Sequence, residues 1–153
     1  MKKLILLTGM LLLVFMVKAQ DQMFFKNDKN VNIGFGFLNH PVISASLDYG
    51  IAEDVIDYGA FGIGPYAGLG FSSSDSYLSA GARGTFHYPL IEKLDTYLGV
   101  SFGMEYRFES AAKMAWYPGV FIGANYPLND EVTLFGEMGS GVTYLQFGIT
   151  LGI

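Results

Sequence analysis

The stretch VTYLQFGITLGI, residues 142–153, alternates between apolar side chains and side chains that are mostly small or polar. On an extended chain, one face would carry Leu145, Phe147, Ile149, Leu151 and Ile153, and the other Tyr144, Gln146, Gly148, Thr150 and Gly152. A period of two predicts a β-strand. Because the small and polar face cannot supply a conventional core, the apolar face is expected to lie against lipid.

The composition of the whole chain supports this interpretation. The length of 153 residues suits one domain; apolar residues make up 51% of the chain, charged residues only 15%, and glycine occurs 20 times. After residue 20, no apolar run reaches the roughly 20 residues that a membrane-spanning helix needs. High hydrophobicity without a long apolar run is typical of closed membrane barrels, because alternation dilutes the signal in each segment.

The N-terminal residues 1–19 are predicted to be a secretory signal peptide. Lys2 and Lys3 precede an apolar run, and small or apolar side chains stand at Val17 and Ala19, the two positions that a signal peptidase reads. Cleavage is therefore expected after Ala19. The alternative is a retained membrane anchor, which is disfavoured because the apolar run is shorter than a spanning helix.

Residues 20–28 then form a polar lead-in with no regular structure assigned, and residues 29–153 form the remaining domain. The chain has no cysteine, which excludes disulfides, thiol chemistry and a lipoprotein anchor. Loss of three of the nine basic residues with the signal peptide would leave six against 14 acidic residues. This net negative charge argues against nucleic acid as a partner.

Seven segments before residue 142 show the same alternation, and turn-forming residues separate them. They are residues 30–37, 43–51, 58–71, 77–88, 96–108, 116–126 and 132–139. The eight strands, of about 9 to 13 residues, are close to the length that crosses a bilayer at a tilt. Pro65 and Pro118 lie within strands, and a β-bulge is expected at each because proline removes a ladder hydrogen bond.

An even number of strands joined by short turns predicts an up-and-down antiparallel meander. It must close, since an open edge in hydrocarbon leaves N–H and C=O groups unpaired at a cost of several kcal/mol each. The predicted fold is an all-β, closed eight-stranded antiparallel transmembrane β-barrel. A soluble barrel that binds a lipophile would need an apolar interior and a polar exterior, which is the reverse of this pattern.

Aromatic residues provide a check that the strand assignment did not use. With both termini on one side of the membrane, the aromatic residues gather at the two rims. The outer belt contains Phe37, Phe71, Tyr106, Phe108 and Trp116, and the inner belt contains Tyr49, Phe86, Tyr88 and Tyr126. Two such belts are expected at the two interfaces of a bilayer.

The predicted lumen contains five charged side chains, Asp48, Arg83, Glu105, Arg107 and Glu137. Charges in a narrow interior are costly unless they are paired, so both arginines are expected among the acids in one buried network. The favoured interpretation is a structural plug, because the interior of an eight-stranded barrel is only wide enough for side chains to fill. The alternative is a narrow, gated ion path.

The chain resembles the small eight-stranded outer-membrane β-barrels of the OmpX and OmpA-barrel type (outer membrane protein beta-barrel domain) from about residue 30 to residue 153. Residues 88–99, 123–126 and 134–139 carry the resemblance. The ending is similar to the assembly signal of such barrels, read as Gln146, Gly148, Leu151 and Ile153. Ile153 stands where the family usually has an aromatic residue.

The resemblance implies an integral protein in the outer membrane of a Gram-negative bacterium, with the lead-in on the periplasmic side. It implies a structural or surface role with a side-chain-filled lumen; the alternative is a narrow, porin-like pore of low conductance for ions or small solutes. The implied partners are outer-membrane lipid and lipopolysaccharide, together with periplasmic chaperones and the barrel assembly machinery during biogenesis.

Enzymatic activity is the least favoured function. Outer-membrane lipid-modifying enzymes of similar size use a surface histidine with a serine or an acid, which draws attention to His40 and residues 72–75. A nucleophile needs its base within hydrogen-bond reach, and no spacing here enforces that. Metal-ligand spacing is also lacking, so no catalytic residue, metal or cofactor is expected.

Overall fold

The computed structural model describes residues 23–37, 40–56, 58–71, 76–108, 113–129 and 132–153. The predicted signal peptide, the first residues of the lead-in and the serine-rich segment 72–75 lie outside these ranges. No helix in the described part of the chain is long and apolar enough to cross a membrane.

The described residues form one closed antiparallel barrel, in which every strand pairs with its neighbours along the chain and β1 also pairs with β8. The strands are β1 (Lys29–Gly36), β2 (Val42–Val55), β3 (Gly59–Phe71), β4 (Ser76–Ile91), β5 (Leu94–Arg107), β6 (Lys113–Pro127), β7 (Val132–Gly139) and β8 (Leu145–Gly152). The predicted closed eight-stranded antiparallel barrel is confirmed.

The two faces of the sheet differ as the alternation predicted. On β5 and β6, Val100 is 58% exposed and Ile122 is 55% exposed on the outside, whereas Ser101 is 8% exposed on the inside. The buried side chains are largely polar, and most large apolar side chains are exposed. This inverted distribution suits an apolar surrounding and a polar lumen.

Some strand ends differ from the prediction. β4 continues to Ile91 and β5 begins at Leu94, so the reversal is a tight turn with Lys93 at φ 62°. The prediction of a β-bulge at Pro65 and at Pro118 is wrong. Pro65 pairs with Ala82, and Pro118 pairs with Phe102, in unbroken register. In an antiparallel ladder a residue directs its N–H to one neighbour only, so a proline costs one donor without requiring an extra residue.

The β7–β8 connection is the largest departure from the predicted pattern. Residues 140–144 do not extend β8; the Gly139 N–H donates to the Tyr144 carbonyl across them. The Val142 side chain lies against Gly68, and the Thr143 side chain lies against Gly36. Small residues on β1 and β3 leave space in the lumen, and this connection fills it instead of continuing the strand.

The barrel closes at a seam of glycines. Gly148 of β8 pairs with Gly34 of β1, and Phe135 of β7 pairs with Gly148 on the other side. The Phe135 ring is 5% exposed and covers both glycines, so a Cβ at Gly148 would meet the ring and the Ile33 carbonyl. The seam is therefore closed by an aromatic ring that only glycines can accommodate.

We expect Gly148→Ala to lower the free energy of unfolding by about 1–3 kcal/mol, because the added methyl group overpacks the seam. Gly152→Ala is the matched control on the same strand, since its Cβ would meet only Asn30 Oδ1 at 3.9 Å. Its effect should stay within about 0.5 kcal/mol. Urea unfolding in detergent micelles, followed by fluorescence, measures both; equal losses would contradict this account of the seam.

Candidate functional site: the closed lumen

The centre of the lumen is occupied by an ion cluster contributed by three strands. Arg83 of β4 places Nη2 2.8 Å from Glu137 Oε2 of β7 and Nε 3.2 Å from Asp48 Oδ1 of β2. The three side chains are 2–4% exposed. One guanidinium thus joins two carboxylates that lie on different parts of the barrel wall.

Neutral side chains provide further hydrogen bonds to the two acids. Tyr97 donates its hydroxyl to Glu137 Oε2 at 3.1 Å, and Gln146 donates Nε2 to Glu137 Oε1 at 2.7 Å. Asn32 donates Nδ2 to Asp48 Oδ2 at 2.9 Å. Buried charges require such partners, since an ion taken out of water is otherwise strongly destabilising.

Arg83 has additional partners of its own. Its Nη1 donates to Ser46 Oγ at 3.2 Å, and its guanidinium carbon lies 4.4 Å from the centroid of the Phe121 ring. Tyr97 is a second aromatic neighbour, with its centroid at 5.9 Å. Cation–π contacts strengthen when they are desolvated. Arg83 is therefore held by charge, hydrogen bonds and an aromatic face together.

The other two predicted network residues do not join this cluster, so the prediction of one five-residue network is wrong. Glu105 and Arg107 pair with each other at 2.7 Å near the outer end, where the Arg107 side chain is 49% exposed. Glu105 lies four residues beyond Ser101, the β5 partner of Arg83. That spacing is about 13 Å along a strand, which is too far for a direct ion pair with Arg83.

A second buried cluster occupies the inner half of the lumen. His87 Nδ1 lies 2.7 Å from Asp95 Oδ2, and His87 Nε2 lies 3.1 Å from Thr85 Oγ1. Asn125 also donates to Asp95 Oδ2, at 2.9 Å. Although His, Thr and Asp are arranged as in an acid–base relay, all three are only 2–3% exposed, so no substrate can reach them in this conformation.

Alternation along residues 77–88 puts His87 on the inward face of its strand, but the sequence identifies no partner for it. Asp95 was missed because the predicted β5 began one residue later, at residue 96. The alternating pattern could have identified Asp95 as an inward residue, because one face of the strand carries Asp95, Tyr97, Gly99 and Ser101. Among the described residues, no three His, Asp or Glu side chains form a group that could hold a metal ion.

The lead-in forms a plug at the inner mouth. Phe24 is 1% exposed and stacks on His87 with the ring centroids 4.2 Å apart. The Asn27 N–H donates to the Gly50 carbonyl at 2.8 Å, and the Gly50 N–H donates to the Asp28 carbonyl at 2.9 Å. A segment to which the sequence assigned no structure is thus bonded to β2 and seals the lumen.

The predicted belt residues lie at the two rims of the barrel. At the outer rim, Tyr106 and Phe108 are 5.2 Å apart by ring centroid, and Trp116 stacks on Phe102 at 5.3 Å. Phe37 and Phe71 are exposed beside the outer turns. The inner rim carries Tyr49, Phe86, Tyr88 and Tyr126, with Phe86 and Tyr88 6.4 Å apart.

The four residues of the predicted assembly signal lie along β8 and just past it. Gln146 belongs to the central cluster, and Gly148 lies at the seam. Leu151 pairs with Val31, and the Ile153 N–H donates to the Lys29 carbonyl at 2.9 Å. Each of them therefore takes part in closing or filling the barrel, whatever its role in assembly.

No protein-family model matches the chain, and no curated protein matches it. Two designed proteins among the solved structures are similar. A structure from the de novo design of transmembrane β-barrels has 19% identity and a TM-score of 0.58, covering 89% of this chain and 100% of that chain. The solution NMR structure of the de novo designed TMB2.3 has 22% identity and a TM-score of 0.51, covering 86% and 98%.

These similarities show the fold: the chain is an eight-stranded β-barrel of the transmembrane type. The finer resemblance to the OmpX and OmpA-barrel family stays a prediction.

The central cluster yields a stability prediction with a matched control. We expect Arg83→Met to cost about 3–5 kcal/mol of unfolding free energy, because it leaves two buried carboxylates without their cation. Arg107→Met removes a half-exposed partner and should cost about 1 kcal/mol or less. Urea unfolding of the refolded barrel measures the unfolding free energy of both variants. Similar decreases would show that the central cluster contributes no more to stability than the Glu105–Arg107 pair.

Proposed function

We propose that this chain is an integral outer-membrane β-barrel protein with a structural or surface role and a lumen closed by its own side chains. The observation that carries the proposal is the central cluster, because Arg83 reaches from β4 to acids on β2 and β7. Side chains that meet across the lumen in this way leave no continuous path at that level.

The ends of the lumen support the same conclusion. Phe24 is packed on His87 at the inner mouth. Val142 and Thr143 turn inward at the outer mouth, against glycines of β3 and β1. Side chains thus fill the lumen at its centre and at both mouths. This fits a structural lumen, since a gated pore would need to be closed at only one level.

The proposed location rests on the exterior and on the sequence. An apolar outer surface with aromatic side chains at both rims fits a bilayer. Cleavage after Ala19 would deliver the chain to the periplasm, where we infer that chaperones and the barrel assembly machinery receive it. Outer-membrane lipid and lipopolysaccharide would then be its neighbours, and we infer a non-enzymatic role.

The second candidate function is a narrow pore of low conductance. The observation that favours it is the polar lining, which runs from the His87–Asp95 pair through the central cluster to the Glu105–Arg107 pair. A pore would require the central side chains to separate. The two functions therefore differ in whether that cluster opens at equilibrium.

Single-channel recording in planar bilayers tests the choice. We expect the refolded mature protein to show no steady open level, because the central cluster fills the cross-section. An Arg83→Met, Glu105→Gln double variant should lose stability and stay silent. A heat-dependent gel shift verifies insertion, and an open porin serves as the positive control. A steady level whose conductance changes in the double variant would establish the pore instead.

The predicted maturation is tested by mass spectrometry of the protein purified from the outer membrane of a Gram-negative host. We expect Gln20 as the first residue, since a signal peptidase reads small side chains at the cleavage site. An Ala19→Arg variant should keep its leader and fail to reach the outer membrane. An intact N-terminus on correctly inserted wild-type protein would indicate a retained anchor.

A further inference from the structure

The outer mouth of the barrel contains a cavity that the closed lumen does not use. It has a volume of about 140 Å³ and lies between the central cluster and the outer end of the strands. We call it the outer vestibule. Four tyrosines line it, namely Tyr66, Tyr77, Tyr117 and Tyr144, together with His40, Ser140, Thr143 and the Glu105–Arg107 pair.

The sequence makes room for these rings. The Tyr77 ring lies over Gly70 of β3, and the Tyr66 hydroxyl lies against Gly103 of β5, where any Cβ would collide with it. His40 packs edge-on against Tyr77, with the ring centroids 6.5 Å apart. Larger residues at Gly70 and Gly103 would therefore displace Tyr77 and Tyr66 from the wall of the cavity.

The Glu105 and Arg107 side chains carry opposite charges and pair with each other at the vestibule. The Glu105 side chain is only 16% exposed and accepts from Arg107 Nε at 2.7 Å through one of its two oxygens. Glu105 lines the same space as Tyr66 and Tyr77, both of which carry a hydroxyl group. A free ion of either sign would meet a like charge here, whereas a neutral hydroxyl can bond to both partners.

Aromatic faces and two-way hydroxyls together define the ligand chemistry. The apolar C–H face of a sugar ring packs on an aromatic ring, and its hydroxyls both donate and accept, as those of Tyr, Ser and Thr do. The cavity has the volume of about five water molecules, far below the space for a drug-sized ligand. It suits one ring, with the remainder of a larger saccharide outside.

We propose that the outer vestibule binds one uncharged sugar ring, packed on the tyrosines and hydrogen-bonded to the Glu105–Arg107 pair. The inference goes beyond a structural role. Only the exposure of the vestibule to the cell exterior rests on the proposed function; the binding site itself does not. A barrel that conducts and still binds the sugar would overturn the proposed function and leave this inference standing.

Saturation-transfer NMR tests the site on the refolded full barrel in a polyoxyethylene detergent, which has neither a sugar nor an ammonium headgroup. The probes are methyl β-glucopyranoside and methyl β-galactopyranoside at millimolar concentration. We expect transfer to the ring protons of at least one glycoside. Absence of transfer to both glycosides would overturn the proposal.

Two tyrosines of equal exposure provide the matched comparison. Tyr117 in the vestibule is 51% exposed and Tyr126 at the inner rim is 50% exposed. Tyr117→Ala should weaken glycoside binding at least tenfold, while Tyr126→Ala should leave it within twofold. A heat-dependent gel shift shows that each variant is folded. Equal weakening in both variants would overturn the proposal.

Two further arms identify the ligand class and its source. Excess tetramethylammonium should not displace the glycoside; complete displacement would mean an ammonium site and would overturn the assignment to sugars. Core oligosaccharide released from lipopolysaccharide is compared with the free glycosides. Tighter binding of the oligosaccharide supports the proposal with a lipid-linked sugar as the source, and equal binding supports it with free sugars as the source.

Discussion

The structure depends on one constraint: in hydrocarbon, every backbone N–H and C=O group must find a partner within the protein. The pairing of β1 with β8 satisfies this constraint by removing both edges of the sheet. Closure is also why Gly34 and Gly148 face each other under the Phe135 ring, since the seam must pack as tightly as any other pair of strands. The apolar exterior follows from the same surrounding.

Closing eight strands leaves an interior that side chains fill, and this narrow space determines the chemistry of the lumen. A polar side chain that points inward near the middle of the barrel is shielded from bulk water, so it must bond to other side chains in the lumen. Arg83 does so by joining acids of β2 and β7, and His87 does so through Asp95 of β5. The bonds of Arg83 cross the barrel and add contacts between strands that are not neighbours in the sheet, whereas His87 and Asp95 lie on the neighbouring strands β4 and β5.

The sequence predicted the strands and their facing well, because a period of two specifies both at once. It did not predict which inward residues meet, since that depends on their level along the barrel axis. Glu105 and Glu137 look equivalent by alternation, yet only Glu137 lies at the level of Arg83. The inward positions of Phe24 and Val142 were missed for another reason: they are decided by the space that glycines on other strands leave.

The position of glycines along the lumen accounts for the difference between the two ends of the barrel. At the inner end, Phe24 enters beside Gly62, so an aromatic ring from the lead-in fills the space. At the outer end, Val142 and Thr143 fill the space beside Gly68 and Gly36, whereas Gly70 and Gly103 accommodate parts of tyrosines that belong to the wall itself, and the described residues leave the vestibule between them. Because the strand number is the same throughout, the width of the barrel cannot explain this contrast. Where small residues face a segment that can enter the lumen, that segment fills the space. Where they face aromatic residues of the barrel wall, a cavity remains that is lined by both ring faces and hydroxyl groups.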